Sequence, residues 1–595
     1  MPVLMPAACA MTDHEALIPQ TTSRAHDAAV GAAIQTLLNC YMREGGAWRA
    51  VPAADVPELV RPGDTHLAVF PFAALSATLL VGVRHLSATH RHRFRMPVTM
   101  IVAGEKPFAV TLDAVAEMLI GALSARVHGN APDATPALLR RLRASVENVT
   151  AFLDARHAQI DALWSAAPLS FIAGEQALLL GPMIHPIPKS RTEMGAAAIA
   201  AYSPEHEAQF QLHWLAIDAA IVEHDSATGT PAPALVARLL LDDPGVDRGA
   251  LDAALAGLGE RVLVPAHPWE LAHLRATEAV VAALLDDGTI ADLGPLGSPV
   301  MPTASVRTVY NAGWPWQLTF SLHARVTSSR HVTLPEELRR AVEAARLQQT
   351  ERGARAAQLA PGLVLLQDPA YLAVRHGGQI IDGLSVLLRD NRWPAGAATD
   401  ASALTSLCQD HPYGGRSRLG AIVAALARRG ARAEDDVARE WFARYCDVVI
   451  APLLALHLDV GLCMTSHQED VVVELEDGWP ARAVYRDSQG SFDRAAPHDD
   501  ITAIMPLGVI NALGVAGCIG ERELLNDLRA LLERLRARGG RHPTTLLDRL
   551  LDETTWPCKA NLLTRMNDLD EPAGDVASQS VHVTIPNPLH EGSRS

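Results

Sequence analysis

The sequence predicts an α+β fold that combines amphipathic helices with antiparallel strand pairs. Helical spacing is clear where apolar side chains recur at Leu142, Val146, Val149 and Phe152. Residues 318–327 instead alternate between apolar and polar side chains, as a strand with one buried face does. A chain of 595 residues exceeds what one hydrophobic core holds, so we expect roughly three domains.

Composition argues against several classes of function. The net charge of −16 leaves no basic excess for a nucleic acid, although a local cluster of Arg and His can bind a small anion. The seven cysteines are scattered and never form a CxxC pair, which favours reduced thiols in a cytoplasmic protein. The first residues lack the pattern of a signal peptide. The apolar segment 448–464 is interrupted by His457 and Asp459, so it indicates a buried helix and no membrane span.

The stretch 302–330 contains the clearest candidate binding face. The polar side of its alternating strand consists of Thr319, Ser321, His323, Arg325 and Thr327. Ser305 and Arg307, two residues apart, are expected to share a face of a preceding strand, with a hairpin-like turn at 311–316. These groups offer hydroxyl and guanidinium donors to a phosphate or a carboxylate. An ordinary antiparallel sheet with a solvated face fits the pattern equally well.

A second candidate is the loop after a helix predicted at 175–180. Prolines at 182, 186 and 188 stiffen this loop, so His185, Lys189 and Arg191 are presented in a fixed way. The stiffness suits a binding loop, and a purely structural loop is the alternative. Further along the chain, 261–266 predicts a short buried strand that leads to His267, where a site residue or a core histidine is expected.

A third candidate follows a long helix predicted at 434–461, kinked at Pro452. The hairpin 471–486 turns at Asp477-Gly478, which pairs residues whose numbers sum to 955 (477 + 478). This pairing gathers an imidazole with acidic and amide side chains, namely His467, Gln468, Glu469, Asp470 and Asp487. Oxygen ligands beside a nitrogen donor are typical of a magnesium–nucleotide site. An acidic, solvated hairpin end fits as well.

The usual nucleotide and catalytic motifs are missing from the chain. It has no GxxxxGK[ST] loop, no GxGxxG after a strand, no GxSxG elbow and no HExxH. Any nucleotide must therefore be held by side chains from strands and loops. His90 and His92 have a spacing that can bind a metal, but the neighbouring arginines favour a solvated basic edge.

Six segments in order carry a resemblance to a known family. They are EQALLLGPMIHPIPKSR, VPAHPWE, TASVRTV, LTFSLHARVTSSR, SHQEDVVVEL with YRDSQGS, and KANLLTRM. With them the chain resembles the IucA/IucC family of NRPS-independent siderophore synthetases over roughly residues 30–570. The resemblance implies a cupped hand made of a thumb, fingers and a palm, with antiparallel sheets and helical bundles. The expected boundaries are a flexible leader at 1–24, a mainly helical thumb at 25–165, fingers at 166–384, a palm at 385–570 and a tail at 571–595.

The resemblance also implies a reaction, its cofactors and the residues that serve it. The expected enzyme uses ATP and Mg²⁺ to condense citrate or a similar acid with an amine or an alcohol through an acyl-adenylate, and a homodimer is expected. By position, the nucleotide-binding residues are Ser305, Arg307, Thr327, Arg330, His467, Gln468 and Asp487. Among them, Arg307, Arg330 and His467 are expected to be catalytic. The metal ligands are Glu469, Asp470 and Asp487. The acid would face His185, Lys189, Arg191, Lys559 and Arg565.

The chain departs from the family pattern at several of these positions. A phosphate-contacting Lys is replaced by Thr319, an acidic residue by Thr465, a Gln-Asn pair by Glu469-Asp470, and a His by Pro182. We expect Arg325 to supply the missing cation. A divergent synthetase is the main hypothesis, and a catalytically impaired carboxylate- or nucleotide-binding relative is the alternative. Iron reduction is a third hypothesis, disfavoured because no CC-x-C cluster ligands occur near the C-terminus.

Overall fold

The structure is a computed structural model of the chain. It describes residues 23–103, 105–124, 134–256, 258–327, 329–396, 400–462, 464, 467–486, 501–569 and 580–590, with the backbone alone at 134, 329–331 and 501–505. The predicted leader lies almost wholly outside the described residues.

The described residues form helices and mostly antiparallel strands, as the sequence predicts. The helices are α1 Arg24–Arg43, α2 Leu112–Leu123, α3 Ala134–Ala155, α4 Ile160–Leu163, α5 Phe171–Gln176, α6 Ala196–Tyr202, α7 Ala232–Leu241, α8 Arg248–Leu255, α9 Pro268–Thr277, α10 Ala279–Asp286, α11 Pro335–Gln348, α12 Glu351–Leu359, α13 Leu404–Cys408, α14 Arg418–Gly430, α15 Glu434–Tyr445, α16 Ala451–Ala455, α17 Ile501–Val515, α18 Glu521–Arg538, α19 Thr545–Asp552 and α20 Asn561–Met566. The strands are β1 Arg49–Pro52, β2 His66–Phe72, β3 Ala77–His85, β4 Arg93–Val102, β5 Phe108–Ala109, β6 Phe210–Asp218, β7 Val222–Ser226, β8 Arg261–Ala266, β9 Ile290–Pro302, β10 Thr308–Tyr310, β11 Trp316–Phe320, β12 Leu322–Val326, β13 Ser329–His331, β14 Leu363–Leu365, β15 Ala370–His376, β16 Gln379–Asp390, β17 Asp400–Ala403, β18 Val471–Glu476, β19 Trp479–Tyr485, β20 Thr555–Lys559 and β21 His582–Pro586.

The first region contains more sheet than its predicted helical character suggests. Strands β1 to β5 form a five-stranded sheet in sequence order, and α1, α2 and α3 share its core. Helix α1 begins where Ser23 Oγ accepts a hydrogen bond from the His26 N–H at 3.1 Å. Arg91 and Arg93 both pair with Asp410, while burial lowers the pKa of His92 to about 3. The predicted basic edge is therefore a buried ion cluster that joins the first and third regions.

An eight-stranded antiparallel sheet forms the second region. Its order is β7-β15-β16-β11-β10-β9-β6-β8, with α7, α9 and α10 packed into its core. The helix predicted at 175–180 is α5, which ends at Gln176, so the remaining residues belong to the loop. Residues 335–359 form two helices, α11 and α12, because Thr350 Oγ1 accepts from the Gly353 N–H and starts α12.

The third region joins a helical core to a four-stranded sheet of order β14-β19-β18-β17. The predicted kink in the long helix is a π-helical turn at Cys446–Ile450, before Pro452, which has no N–H to donate. Of the described helices, Glu434–Val460 alone is long and apolar enough to cross a membrane, and 67% of its most apolar window is buried. The hairpin register sums to 955 next to the turn and to 956 beyond an irregularity at 474–475.

Residues 580–590, the described part of the tail predicted at 571–595, belong to the fold instead. Strand β21 pairs antiparallel with β20, and Ile585 and Leu589 are buried in the core of the third region. Helix α20 leaves that core, and its Leu562 and Leu563 pack with the first region instead. This crossing carries Arg565 towards α3.

Candidate active site

Ser305 and Arg307 lie in a tight turn between β9 and β10, which corrects the strand predicted for them. The Ser305 carbonyl accepts a hydrogen bond from the Arg307 N–H at 2.8 Å, and Val306 between them has φ +68°. This is a γ-turn with a left-handed central residue. The Ser305 hydroxyl accepts from the Thr308 N–H at 3.2 Å, and Arg307 Nη1 donates to Thr333 Oγ1 at 2.9 Å.

The backbone of this turn is strained. A β-branched residue at positive φ is an outlier that costs on the order of 1–3 kcal/mol. Val306 is 0% exposed and packs with Leu322, Ala324 and Val326, so its burial offsets a cost of that size. Strain held in place by packing is common at functional sites. The turn therefore holds the Ser305 and Arg307 backbones in one arrangement.

The polar strand predicted at 318–327 is broken at Ser321. Its first half, β11, belongs to the eight-stranded sheet, and its second half, β12, pairs with β13 alone. Ser321 Oγ accepts from the Thr333 N–H at 2.9 Å, which fixes the break. Thr319 is 2% exposed and its hydroxyl lies 2.9 Å from that of Thr308 across the ladder. In the described structure Thr319 is thus a buried sheet residue.

Thr327 connects the broken strand to the proline-rich loop. It has φ +60°, and its Oγ1 donates to the Pro188 carbonyl at 3.1 Å. Its own carbonyl accepts from Arg141 Nη2 at 3.0 Å, so helix α3 reaches the same point. Arg330 lies in β13 with its Cα opposite that of Arg325, and its side chain lies outside the described part.

Lys189 and Arg191 form a buried ion triad with Glu205. Lys189 Nζ lies 2.5 Å from Glu205 Oε1, and Arg191 contacts both carboxylate oxygens at 2.7 and 2.9 Å. All three side chains are at most 5% exposed. The contacts shown for these two cations are structural, and they fix the loop. Their predicted role towards a substrate stays a prediction.

A cationic cluster forms where the three regions meet. It comprises Arg141 from α3, His185 from the loop, Arg325 from β12, Lys559 from β20 and Arg565 from α20. Burial, then Arg565 and Arg325, lower the pKa of Arg141 to about 10. Burial, then Arg565, Lys559 and Arg141, lower the pKa of His185 well below its usual value. Groups that depress one another's pKa in this way favour binding of an anion.

Acidic residues lie beside this cluster. Arg325 Nη1 lies 3.2 Å from Asp568, an exposed residue, and the Arg325 N–H donates to Glu193. The Nε of Arg141 is buried and has no hydrogen-bond partner within the described residues. Arg325 therefore belongs to this cluster and lies on β12, whereas Thr319 lies on β11, so the strand face predicted for both is not continuous. The predicted role of Arg325 towards phosphates stays a prediction.

The acidic hairpin end is tied to the γ-turn through Arg486 and Glu175. Arg486 donates to the Glu469 carbonyl at 2.7 Å and pairs with Glu175 Oε2 at 2.7 Å. The same Glu175 oxygen accepts from the Ala304 N–H at 3.1 Å. His467 is exposed, and its N–H donates to Asp470 at 3.0 Å. Arg486 and Glu175 thus connect the Glu469 backbone to Ala304, next to the turn of Ser305.

The predicted metal ligands are only partly described. Asp487 lies outside the described residues, and within them no group of three or more His, Cys, Asp or Glu could hold a metal ion. Gln468 packs against Gly508, where a Cβ would overlap its side-chain amide. His267, the other candidate, is 1% exposed and caps α9 by accepting from the Trp269 N–H at 3.2 Å. It is a structural histidine.

Sequence reasoning missed the residues that hold the site together. Arg141, Glu175, Glu205 and Arg486 all act through partners distant in the chain, for example 311 residues apart between Glu175 and Arg486 (486 − 175). No local pattern distinguishes Arg141 from the other arginines of α3.

The fold and this site are those of a class of α+β synthetases. ATP-bound aerobactin synthetase IucA from Klebsiella pneumoniae matches 94% of this chain and 99% of its own, with a TM-score of 0.83 and 26% identity. A profile described as the IucA / IucC family matches residues 170–409. A second, described as a ferric iron reductase FhuF-like transporter, matches 439–508 and 506–574.

Two curated relatives match almost the whole chain. The rhizobactin siderophore biosynthesis protein RhbC of Rhizobium meliloti is 35% identical over 95% of this chain and 98% of its own length. The spermidine-citrate ligase of Bacillus anthracis is 30% identical over 94% and 97%. The chain belongs to the IucA/IucC family.

Proposed function

We propose that the chain is an ATP-dependent ligase of siderophore biosynthesis. It adenylates citrate or a citrate-like acid and joins the acyl group to an amine or an alcohol, giving an amide or an ester. Relatives named as a siderophore biosynthesis protein and a spermidine-citrate ligase support this reaction. The observation that carries it is the cationic cluster. Its Arg141 donates to the Thr327 carbonyl, and the neighbouring Val326 packs with Val306 of the γ-turn.

The cationic cluster would hold the acid. Citrate carries three carboxylates, and a set of guanidinium groups around a neutral imidazole matches that charge. His185 stays neutral in the ligand-free site because its pKa is lowered, so it would act as a hydrogen-bonding group. The Arg141 Nε, buried without a partner in the described part, is one donor that an acid would satisfy.

The γ-turn would hold the ATP phosphates. Ser305, Arg307, Thr327 and Arg330 supply hydroxyl and guanidinium donors, and His467, Gln468 and Asp487 would complete the nucleotide site. A carboxylate oxygen attacks the α-phosphorus and pyrophosphate leaves, while Arg307 stabilises the charge on the phosphoryl oxygens. The nucleophile then forms a bond to the acyl carbon and AMP leaves. Fixing two anions at adjacent cationic sites supplies the orientation that both steps need.

Magnesium fits the oxygen donors at this end of the site. Glu175 is 1% exposed, and its Oε1 has no hydrogen-bond partner within the described residues. We propose Glu469, Asp470 and Asp487 as the ligands, with Asp487, outside the described residues, completing a set that the described acidic groups alone do not form. When bound, the ion would neutralise charge on the phosphate oxygens.

The proposed partners are small molecules, and the proposed location is the cytoplasm. The net charge of −16 and the five described cysteines, all free and buried, agree with this. A homodimer remains part of the proposal. Matches over most of the chain to relatives named as a ligase and a synthase favour the enzyme over the impaired relative.

Acid-dependent ATP–pyrophosphate exchange tests the proposal, with citrate, 2-oxoglutarate and citrate half-amides as the acids. We expect exchange with citrate or one of its derivatives. In Arg141→Met the KM for that acid should rise about tenfold to a hundredfold, because one charge-assisted hydrogen bond is worth about 1.5–3 kcal/mol. The KM for ATP should change little.

The matched control is Arg143→Met on the same helix. Arg143 is half-exposed and pairs with Asp113 at 3.1 Å, away from the cluster. It should leave both KM values unchanged. Exchange with none of the acids would contradict the proposal.

A further inference from the structure

His323 and Glu270 form a dyad with the arrangement of a general base. Glu270 is 2% exposed, and its Oε2 accepts from the His323 N–H at 2.8 Å. Its Oε1 contacts the Nδ1 of the same imidazole. A carboxylate on Nδ1 fixes the tautomer and leaves Nε2 as the proton acceptor. The His323 side chain is 18% exposed, so its ring reaches solvent.

The backbone next to the dyad leaves room for both side chains only because it has a glycine there. Gly383 in β16 has φ +90°, and a Cβ there would overlap Glu270 Oε1 and crowd the His323 ring. The His323 ring also stacks on His273 with 5.3 Å between centroids, and His273 stacks on Trp269 at 5.2 Å. The His323 imidazole is therefore enclosed by Glu270, by the backbone at Gly383 and by the His273 ring.

The dyad lies between the two halves of the candidate active site. Arg307 donates to Thr333 Oγ1, and the Thr333 N–H donates to Ser321 Oγ, which ends the phosphate-side strand. His323 follows two residues later, and Arg325 of the cationic cluster follows two after that. Alternate residues of a strand share a face about 7 Å apart. His323 and Arg325 are both part-exposed, whereas Leu322, Ala324 and Val326 are buried, so the two share the open face.

The charges around His323 are acidic, unlike those of the neighbouring cluster. Its pKa is raised by the hydrogen bond that its ring donates to Glu270, which outweighs burial, and further by the charges of Glu270, Asp382 and Glu278. His273 is the other titratable group packed against the ring. Carboxylates and a stacked Trp face favour an ammonium group. The open face of β12 thus carries a cationic group at Arg325, suited to an acid, and an imidazole among carboxylates at His323, suited to an amine.

We propose that His323, positioned by Glu270, is the general base that takes a proton from a primary-amine nucleophile as it attacks the acyl-adenylate. This inference rests on the proposed function. The amine nitrogen forms a bond to the acyl carbon, the bond from that carbon to the AMP oxygen breaks, and the proton passes from nitrogen to His323 Nε2. The dyad has no part in the adenylation step.

The test measures the two half-reactions separately in His323→Asn. ATP–pyrophosphate exchange with citrate, which needs no amine, should stay within about twofold of wild type. Amide formation with a panel of primary amines, namely 1,3-diaminopropane, putrescine and spermidine, should fall about 10²- to 10⁴-fold, the usual contribution of a general base. Hydroxylamine, which is unprotonated near neutral pH, should still trap the adenylate.

Two further variants separate catalysis from folding. His213→Asn removes another His–carboxylate pair, His213 with Asp292 at 3.2 Å, and should leave both half-reactions unchanged. Glu270→Gln should retain exchange and shift the rising limb of the pH profile of amide formation to lower pH, because the carboxylate raises the pKa of His323. A purely structural dyad would not move that profile.

The outcomes separate the two proposals. Normal exchange with unchanged amide formation in His323→Asn, or an equal loss of both, would overturn the role of the dyad alone. Adenylation by wild type without use of any amine in the panel would overturn the assignment of an amine as the nucleophile. No exchange by wild type would overturn the proposed function itself.

Discussion

At the scale of single residues, Glu205 has the clearest energetic role. Burial alone would raise its pKa, but Arg191 and Lys189 outweigh burial and lower it to about 2. The triad holds the loop that carries His185 and that accepts the Thr327 hydrogen bond. Removing one member of a buried ion group leaves the others uncompensated, which is costlier than the net value of the group.

Glu205→Gln should destabilise the protein by about 3–5 kcal/mol at pH 7, because two buried cations lose their partner. A folded-state pKa near 2 lies below the value of about 4.3 in an unfolded chain. The stabilisation by Glu205 is therefore complete above about pH 4.3 and is lost as pH falls towards 2. Urea unfolding of wild type and variant at pH 7 and pH 3 measures this difference.

Glu207→Gln is the control for that experiment. Glu207 is two residues away and 45% exposed, at 3.4 Å from Arg156. Glu207→Gln should lower the free energy of unfolding by about 0–1 kcal/mol. A Glu205→Gln protein as stable as wild type at pH 7 would contradict the structural role of the triad.

At the scale of elements, helix α20 shows how one cap places a site residue. Glu44 at the end of α1 accepts from the Leu562 and Leu563 N–H groups at 2.8 and 2.7 Å. These are N–H groups of the first turn of α20, which have no partner inside the helix. The cap joins α1 to the helix that carries Arg565, so the first region fixes part of the cationic cluster.

The cap of α20 should make stability depend on pH around neutrality. Burial raises the pKa of Glu44 to about 7, above its unfolded value of about 4.3. Between these two pKa values the folded protein keeps a proton on Glu44 that the unfolded chain has lost. The stabilisation by Glu44 is therefore greatest below about pH 4.3 and is lost as pH rises to 7. The stability of wild type relative to Glu44→Gln should fall between pH 5 and pH 8, measured by urea unfolding.

Glu117→Gln, on the exposed side of α2, is the matched control and should show no such trend. A stability difference between wild type and Glu44→Gln that stays constant from pH 5 to pH 8 would contradict this account of the cap.

Local patterns predicted most of these elements, and long-range contacts decided the rest. Apolar spacing located α3, the hairpin β18–β19 and the two halves of 318–327, because periodicity is a property of neighbouring residues. It could not locate the break at Ser321, which depends on a hydrogen bond from Thr333. Residues 581–585, which include β21, alternate between apolar and polar side chains as a strand does. Two prolines follow them, and prolines are unfavourable within a strand, so the pattern did not outweigh the prediction of a tail.

At the scale of the whole molecule, the candidate site exists only where the three regions meet. Arg141 comes from the first region, Thr327 from the second and Arg565 from the third. The sequence located Arg565 and Thr327 through family motifs, but not Arg141, whose role depends on the packing of α3 against the loop. The His323–Glu270 dyad was likewise visible only as two polar residues 53 positions apart.

The measurement that tests the central claim most directly follows the oxygen of the acid. With citrate labelled with ¹⁸O in its carboxylates, an amine from the panel above and unlabelled ATP, the account predicts that one labelled oxygen appears in AMP. That result requires attack of the carboxylate on the α-phosphorus. Label in inorganic phosphate together with ADP, or in no nucleotide product, would contradict it.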